Sequence, residues 1–418
     1  MSLMTFLRLT LILILALSIL GSSSLPPGDP VEQIRAYTRD LEFDFLSWTI
    51  SAMWTKVNHF ALGVEKYIQS DDQRDIVLEY LNLVREIQGL EAQLNSIFAD
   101  PHTPDPWAAT IDSREELGML QQRQFELRPV AEEIIQSQVA SIVSELGLGY
   151  GGQPIPPILY HSTPLPTALV VSPRDAIYQK AIISLEPNLA VEQRAALEVQ
   201  VDQNLNVSSL VVNIGGIGIY PAMIMQTTNL NYLTEIVAHE WIHNFFTLRP
   251  LGLYYFTSPE LRTINETAAT IGGKEIGRLV MERYYPELLP PPPPPEPPEV
   301  EDPSPVPVFD FRAEMHLTRL MVDELLAEEK IEEAESYMEE RRIFFWEHGY
   351  QIRKLNQAYF AFYGAYADQP EGPAGEDPVG EAVREFHQYS PSLSYFLERI
   401  SWITSFEQLQ IALEELSP

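Results

Sequence analysis

Two histidines four residues apart, His239 and His243, stand inside a run of bulky apolar side chains between positions 236 and 248. On an α-helix this spacing places both imidazoles on one face, a turn apart. Ile236, Val237, Ile242, Phe245 and Phe246 surround them, so the helix is expected to be largely buried, with a polar spot on one side. Two neutral imidazoles at that separation can share one Zn²⁺ at about 2.0–2.1 Å each. Glu240 follows the first histidine, where its carboxylate can stand beside a metal without ligating it. This is the H-E-x-x-H arrangement, whose glutamate acts as general base toward a metal-activated water. The plainer reading is a core helix whose two histidines satisfy backbone carbonyls.

A catalytic zinc site needs a third protein ligand and an open position. The metzincin pattern puts a histidine six residues after the second one, and position 249 is Arg249, which excludes that class. A glutamate from the following helix is the other solution. Glu266 lies roughly two dozen residues beyond His243 among small residues, Thr267, Ala268, Ala269, Gly272 and Gly273, that let two helices approach closely. Pro250 and Gly252 supply the turn between them. With these residues in place, positions 205–285 resemble the gluzincin metallopeptidases, the thermolysin-like proteases and zinc aminopeptidases. The resemblance implies Zn²⁺ held by His239, His243 and Glu266, with Glu240 as base. Thermolysin-like enzymes carry an aspartate one turn after the ligand glutamate, where this chain has Thr270. The task of orienting a ligand imidazole would pass to Glu235, Asn265 or Glu275.

Composition narrows the alternatives. Twenty-seven basic residues face 59 acidic ones, a formal charge of −32. That excludes a nucleic-acid binder, whose partner's phosphates demand Lys and Arg, and disfavours an anionic membrane surface as a platform. No cysteine occurs, which rules out disulfides, zinc-thiolate sites and a lipoprotein anchor. Residues 1–24 hold Arg8, an apolar run from 9 to 20 and a small-residue stretch, the pattern of a signal peptide or N-terminal membrane anchor. The expected location is therefore extracytoplasmic, either secreted or anchored.

Residues 31–147 read as a helical domain, with segments at 31–60, 76–98 and 113–146, the last broken or kinked at Pro129. Trp48, Trp54 and Trp107 are expected in the core, and His59 and His102 are expected to be structural or solvated. Residues 154–285 read as the zinc-binding module. Its strands fall near 158–161, 168–172, 181–185 and 208–214, with a helix over 190–201. Gly215, Gly216 and Gly218 follow the last strand; in gluzincins such an edge strand pairs with substrate main chain, while a glycine-rich hairpin is the alternative. Residues 286–308 are a proline-rich acidic linker of polyproline II character. Residues 309–418 form a C-terminal helical domain in which Tyr359, Tyr363 and Tyr366 recur along one face. Tyr359 is the candidate oxyanion donor, with His348 and His387 as outside choices, and an aromatic core helix as the plain reading.

The expected fold class is α+β, mostly α: an N-terminal helical bundle, a small sheet joined to zincin-type helices, and a helical C-terminal domain. The expected function is zinc-dependent hydrolysis of peptide or protein substrates, possible as aminopeptidase or endopeptidase. The alternatives are an inactive metal-bearing surface protein and a structural protein with core histidines.

Overall fold

The computed structural model describes residues 29–60, 68–99, 105–187, 189–289, 309–366, 375 and 377–416. Residues 1–24 and the proline tract from 290 to 308, and His102, lie outside the described residues, as does the side chain of His59. Among the described residues no helix is long and apolar enough to cross a membrane.

The chain is α+β and mostly α. Helices α1 (Pro30–Thr38), α2 (Phe45–Phe60), α3 (Ser70–Ala99), α4 (Pro106–Ala109) and α5 (Ile111–Glu145) come first. Strands β1 (Tyr160–Ser162), β2 (Thr167–Pro173) and β3 (Ala181–Leu185) follow, then α6 (Val191–Leu205), β4 (Val207–Asn213), β5 (Gly216–Ile217) and β6 (Ala222–Ile224). Two long helices, α7 (Leu230–Thr247) and α9 (Pro259–Tyr284), flank the short α8 (Pro250–Leu253). The remainder is helical: α10 (Phe311–Ala327), α11 (Ile331–Glu347), α12 (Gln357–Tyr363), α13 (Pro378–Tyr389), α14 (Leu393–Ile400) and α15 (Phe406–Leu416).

The strands form two sheets rather than one. β3-β2-β4 is antiparallel, and β1-β6-β5 pairs β1 with β6 in parallel and β5 with β6 antiparallel. The apolar run from 211 to 219 is thereby divided at Ile214 and Gly215, its first half in one sheet and Gly216–Ile217 in the other. Gly216 opposes Ile224 and Ile217 opposes Met223, so the glycine segment is the outer arm of a short hairpin.

Pro129 does not break α5, which runs unbroken from Ile111 to Glu145. Proline leaves unpaired the carbonyl four residues earlier, here that of Phe125, and Phe125 is exposed, so water can take its place. Trp54 and Trp107 are not core residues; they are 70% and 63% exposed. α2 is held to α5 on one side only, through buried Ala52 and Lys56. Its opposite face, Leu46, Ile50 and Trp54 at four-residue spacing, is left in solvent.

The largest apolar core joins distant parts of the chain. It takes Val77, Leu81 and Val84 from α3, Ile134 and Val139 from α5, Val237 and Phe246 from α7, Ile264 and Ile276 from α9, and Val383, Phe396 and Leu409 from the last three helices. The stretch over 378–416 therefore packs on α9 and not on α10 and α11, which have their own cluster with Phe360. α7 and α9 sit at the centre of this core. Asn229 caps α7 by accepting from the Tyr232 N–H at 3.1 Å, and Ser258 caps α9 ahead of Pro259 at the first position. The two axes come so close that a Cβ built on Gly273 would stand 2.9 Å from the Glu235 carbonyl oxygen.

Candidate metal centre

α7 and α9 bring His239, His243 and Glu266 together, their ligand atoms within 4.8 Å of one another. The two Nε2 atoms stand 3.0 Å apart, and Glu266 Oε2 lies 3.7 Å from that of His239 and 3.6 Å from that of His243. In a tetrahedral zinc site with bonds of about 2.0–2.2 Å, ligand atoms are separated by about 3.3–3.6 Å. The three observed edges bracket that spacing.

Hydrogen bonds behind the rings decide what faces the centre. Asn265, almost fully buried, donates its amide to the Leu251 carbonyl at 3.3 Å. That turns its oxygen toward His243 Nδ1 at 2.8 Å, so Nδ1 donates to Asn265 and Nε2 is the nitrogen left facing the centre. His239 is bonded in the same sense to the backbone of Ala269. Glu266 Oε2 is buried and has no hydrogen-bond donor. The two Nε2 atoms face each other at hydrogen-bond distance and Glu266 Oε2 stands beside them without a partner, a cluster of ligand atoms that a cation would satisfy. The donor set, two imidazoles and a carboxylate, suits Zn²⁺. Of the three residues expected to orient a ligand, Asn265 does so. Glu235 instead holds Asn231, and Glu275 reaches His387 at 3.2 Å.

The electrostatics are those of a buried cluster short of positive charge. Burial, then the neighbouring His243, pushes His239 down to about 3. Burial opposes a charge on His243 too, yet Glu266 beside it holds that ring up to about 9. Burial likewise works against Glu266 as a carboxylate, but the two histidines keep it well below the usual range. Burial drives Glu240 up to about 8.

A cavity of about 460 Å³ opens beside the cluster, lined among others by Gly215, Gly216, Tyr232, His239, Glu240 and Tyr366. The glycines predicted to meet substrate lie directly against the metal helix. A Cβ on Gly216 would stand 2.2 Å from Glu240 Oε1, and one on Gly218 would stand 2.8 Å from His243 Cβ. Their first task is to let a strand lie over the base.

Tyr359 is not placed as expected. It packs between two apolar clusters, with Tyr363 at 4.5 Å ring to ring. The helix ends at Tyr363, so Tyr366 lies beyond it and the three tyrosines do not share one helical face. The tyrosines of this segment that line the cavity are Tyr363 and Tyr366, and the Tyr366 hydroxyl feels the charges of Glu266 and Glu240. His348 stacks on Phe309 at 4.1 Å, and His387 pairs with Glu275. Two further residues were not read from the sequence. Tyr255 donates its hydroxyl to Glu266 Oε1, and Arg262 lies one turn before Glu266, 7% exposed. The aromatic run from 254 to 256, too apolar for a solvated turn, was the available signal.

Compared with models of protein families, with curated proteins and with solved structures, the chain has no significant match.

Proposed function

We propose that this protein is a zinc-dependent peptidase of gluzincin type, extracytoplasmic, and acting on peptide or protein substrates. The observation that carries the reading is the convergence of His239, His243 and Glu266, their ligand atoms within 4.8 Å of one another, beside a cavity that His239 and the buried carboxylate of Glu240 line. A structural helix with core histidines would have no use for a buried, partnerless glutamate oxygen beside them.

Zinc held by His239, His243 and Glu266 would supply Lewis acidity to a scissile carbonyl and a water of lowered pKa, from 15.7 toward about 7. Asn265 and the Ala269 backbone hold the two rings in the ligating tautomer. Tyr255 takes one oxygen of Glu266 by hydrogen bond, leaving the other, Oε2, for the metal. Glu240 accepts the proton of the attacking water on its carboxylate and returns it to the leaving amine. Its burial and the strand over it keep bulk water from that transfer. Tyr366 stands at the cavity, 37% exposed, with a neutral hydroxyl, since desolvation on the cavity side and the nearby Glu266 keep its pKa above 10. It can donate to charge developing on the carbonyl oxygen. The test is digestion of a mixed peptide library by zinc-loaded protein with and without chelator: cleavage that chelator stops supports the reading, and an intact library with zinc bound contradicts it.

A further inference from the structure

The peptidase reading leaves Arg262 without a task, and this residue carries an inference that rests on that reading. Arg262 shares a helix face with Glu266, one turn away on α9. Its Nη1 donates to the Ala361 carbonyl at 2.9 Å, and the guanidinium also bonds Tyr255, whose hydroxyl serves Glu266. A guanidinium has five N–H donors. Its Nε is buried without a partner, and among the described residues no carboxylate pairs with it. Arg262 lines a second, larger cavity of about 860 Å³, together with Tyr255 and Thr263. That cavity's charged lining is Lys180, Arg262 and Arg319 against Glu260, Asp323 and Asp377. Equal numbers are unusual in a chain with 27 basic and 59 acidic residues. Asp323 is taken by Arg319 at 2.8 Å, and the carboxylate that Arg262 feels, Glu266, is shared with the two histidines.

A buried guanidinium with spare donors, beside a cavity, matches a carboxylate in shape and charge. One helical turn from Glu266 amounts to about 6 Å along the axis, close to the span of two extended residues. We propose that Arg262 receives a substrate carboxylate one or two residues from the scissile bond, either the free C-terminus of a short peptide or an acidic side chain. Release of short C-terminal fragments follows from the first source.

The experiment uses full-length, zinc-loaded Glu240→Gln protein, so that binding is read without turnover. Calorimetry compares an N-acetylated tetrapeptide with a free C-terminus, the same peptide as its amide, and the amide with glutamate as its penultimate residue. The expected result is at least about tenfold tighter binding of one carboxylate-bearing peptide than of the plain amide. Which of the two gains identifies the source. The advantage should disappear in Arg262→Gln and be only partly restored in Arg262→Lys, which lacks the planar fork. Equal affinities for all three peptides overturn the inference, even if the wild-type enzyme cleaves them. A carboxylate preference that depends on Arg262, in a protein whose zinc-loaded wild type hydrolyses none of the three, supports the binding site and overturns the peptidase reading alone.

Discussion

Gly216 lies so close to Glu240 that a Cβ built on its backbone would stand 2.2 Å from Oε1 and 2.7 Å from the carboxyl carbon. The base has room only because residue 216 has no side chain. Gly216→Ala should therefore displace Glu240 and lower kcat by more than about tenfold, as misplacement of a catalytic group by an ångström does, while zinc content stays at that of the wild type. Gly118→Ala, in α5 with nothing within 4 Å of the added carbon, is the matched control, expected to leave activity unchanged and to stabilise by about 0.5–1 kcal/mol. Normal turnover by Gly216→Ala would remove the strand from the account.

Asn265 holds His243 by Nδ1 and is not itself one of the candidate ligands, so under the proposed function its loss should appear in metal affinity. Asn265→Ala should bind zinc about 10–100-fold more weakly, measured by competition against a chromophoric chelator. His239→Ala should lose stoichiometric zinc altogether. Unchanged affinity in Asn265→Ala would mean that the ring is oriented by something else.

Tyr359 and Tyr366 make a contrasting pair. Tyr366→Phe removes a hydroxyl at the cavity and should lower kcat by about 10–1000-fold with little effect on KM. Tyr359→Phe removes a hydroxyl from an aromatic cluster and should leave kcat near the wild-type value. The reverse ranking would restore the tyrosine first suggested by the helical pattern.

A buried triad far from the metal centre predicts acid sensitivity. Lys56 Nζ lies 2.5 Å from Glu132 Oε2, and His161 Nδ1 lies 3.2 Å from the same carboxylate. Burial alone would raise the Glu132 pKa; Lys56 and then His161 outweigh it and hold the group down to about 2. A depressed carboxylate stabilises the fold above its unfolded pKa, near 4.5, and that stability is lost as pH falls toward about 2. Urea midpoints should fall more steeply between pH 5 and 2 for the wild type than for Glu132→Gln. The variant should also be weaker at pH 7 by about 3–5 kcal/mol, because it strands the Lys56 charge in the interior. Parallel profiles would show that the triad does not set acid stability.

The helix of the candidate site was legible because buried histidines at four-residue spacing, an adjacent glutamate and small residues around Glu266 are local signals. Strand β3 and the helices over 70–145 were legible for the same reason, through periodicity and β-branched runs. What the sequence could not carry was long-range. That the last three helices pack on α9 depends on contacts over a hundred residues apart, and so does the inward turn of Tyr359. Asn265 could be named only as one of three candidates, since the Leu251 carbonyl that orients it comes from a different helix. Tyr255 and Arg262 carry no motif; they become visible only when Glu266 has a place in space.

The most direct test of the central claim joins metal analysis to peptide hydrolysis in two proteins, the wild type and Glu240→Gln. The account predicts one zinc per chain in both, with chelator-sensitive cleavage in the wild type that falls by at least about 100-fold in the variant. A wild-type chain that binds no zinc, or a variant that cleaves as fast as its parent, would contradict it.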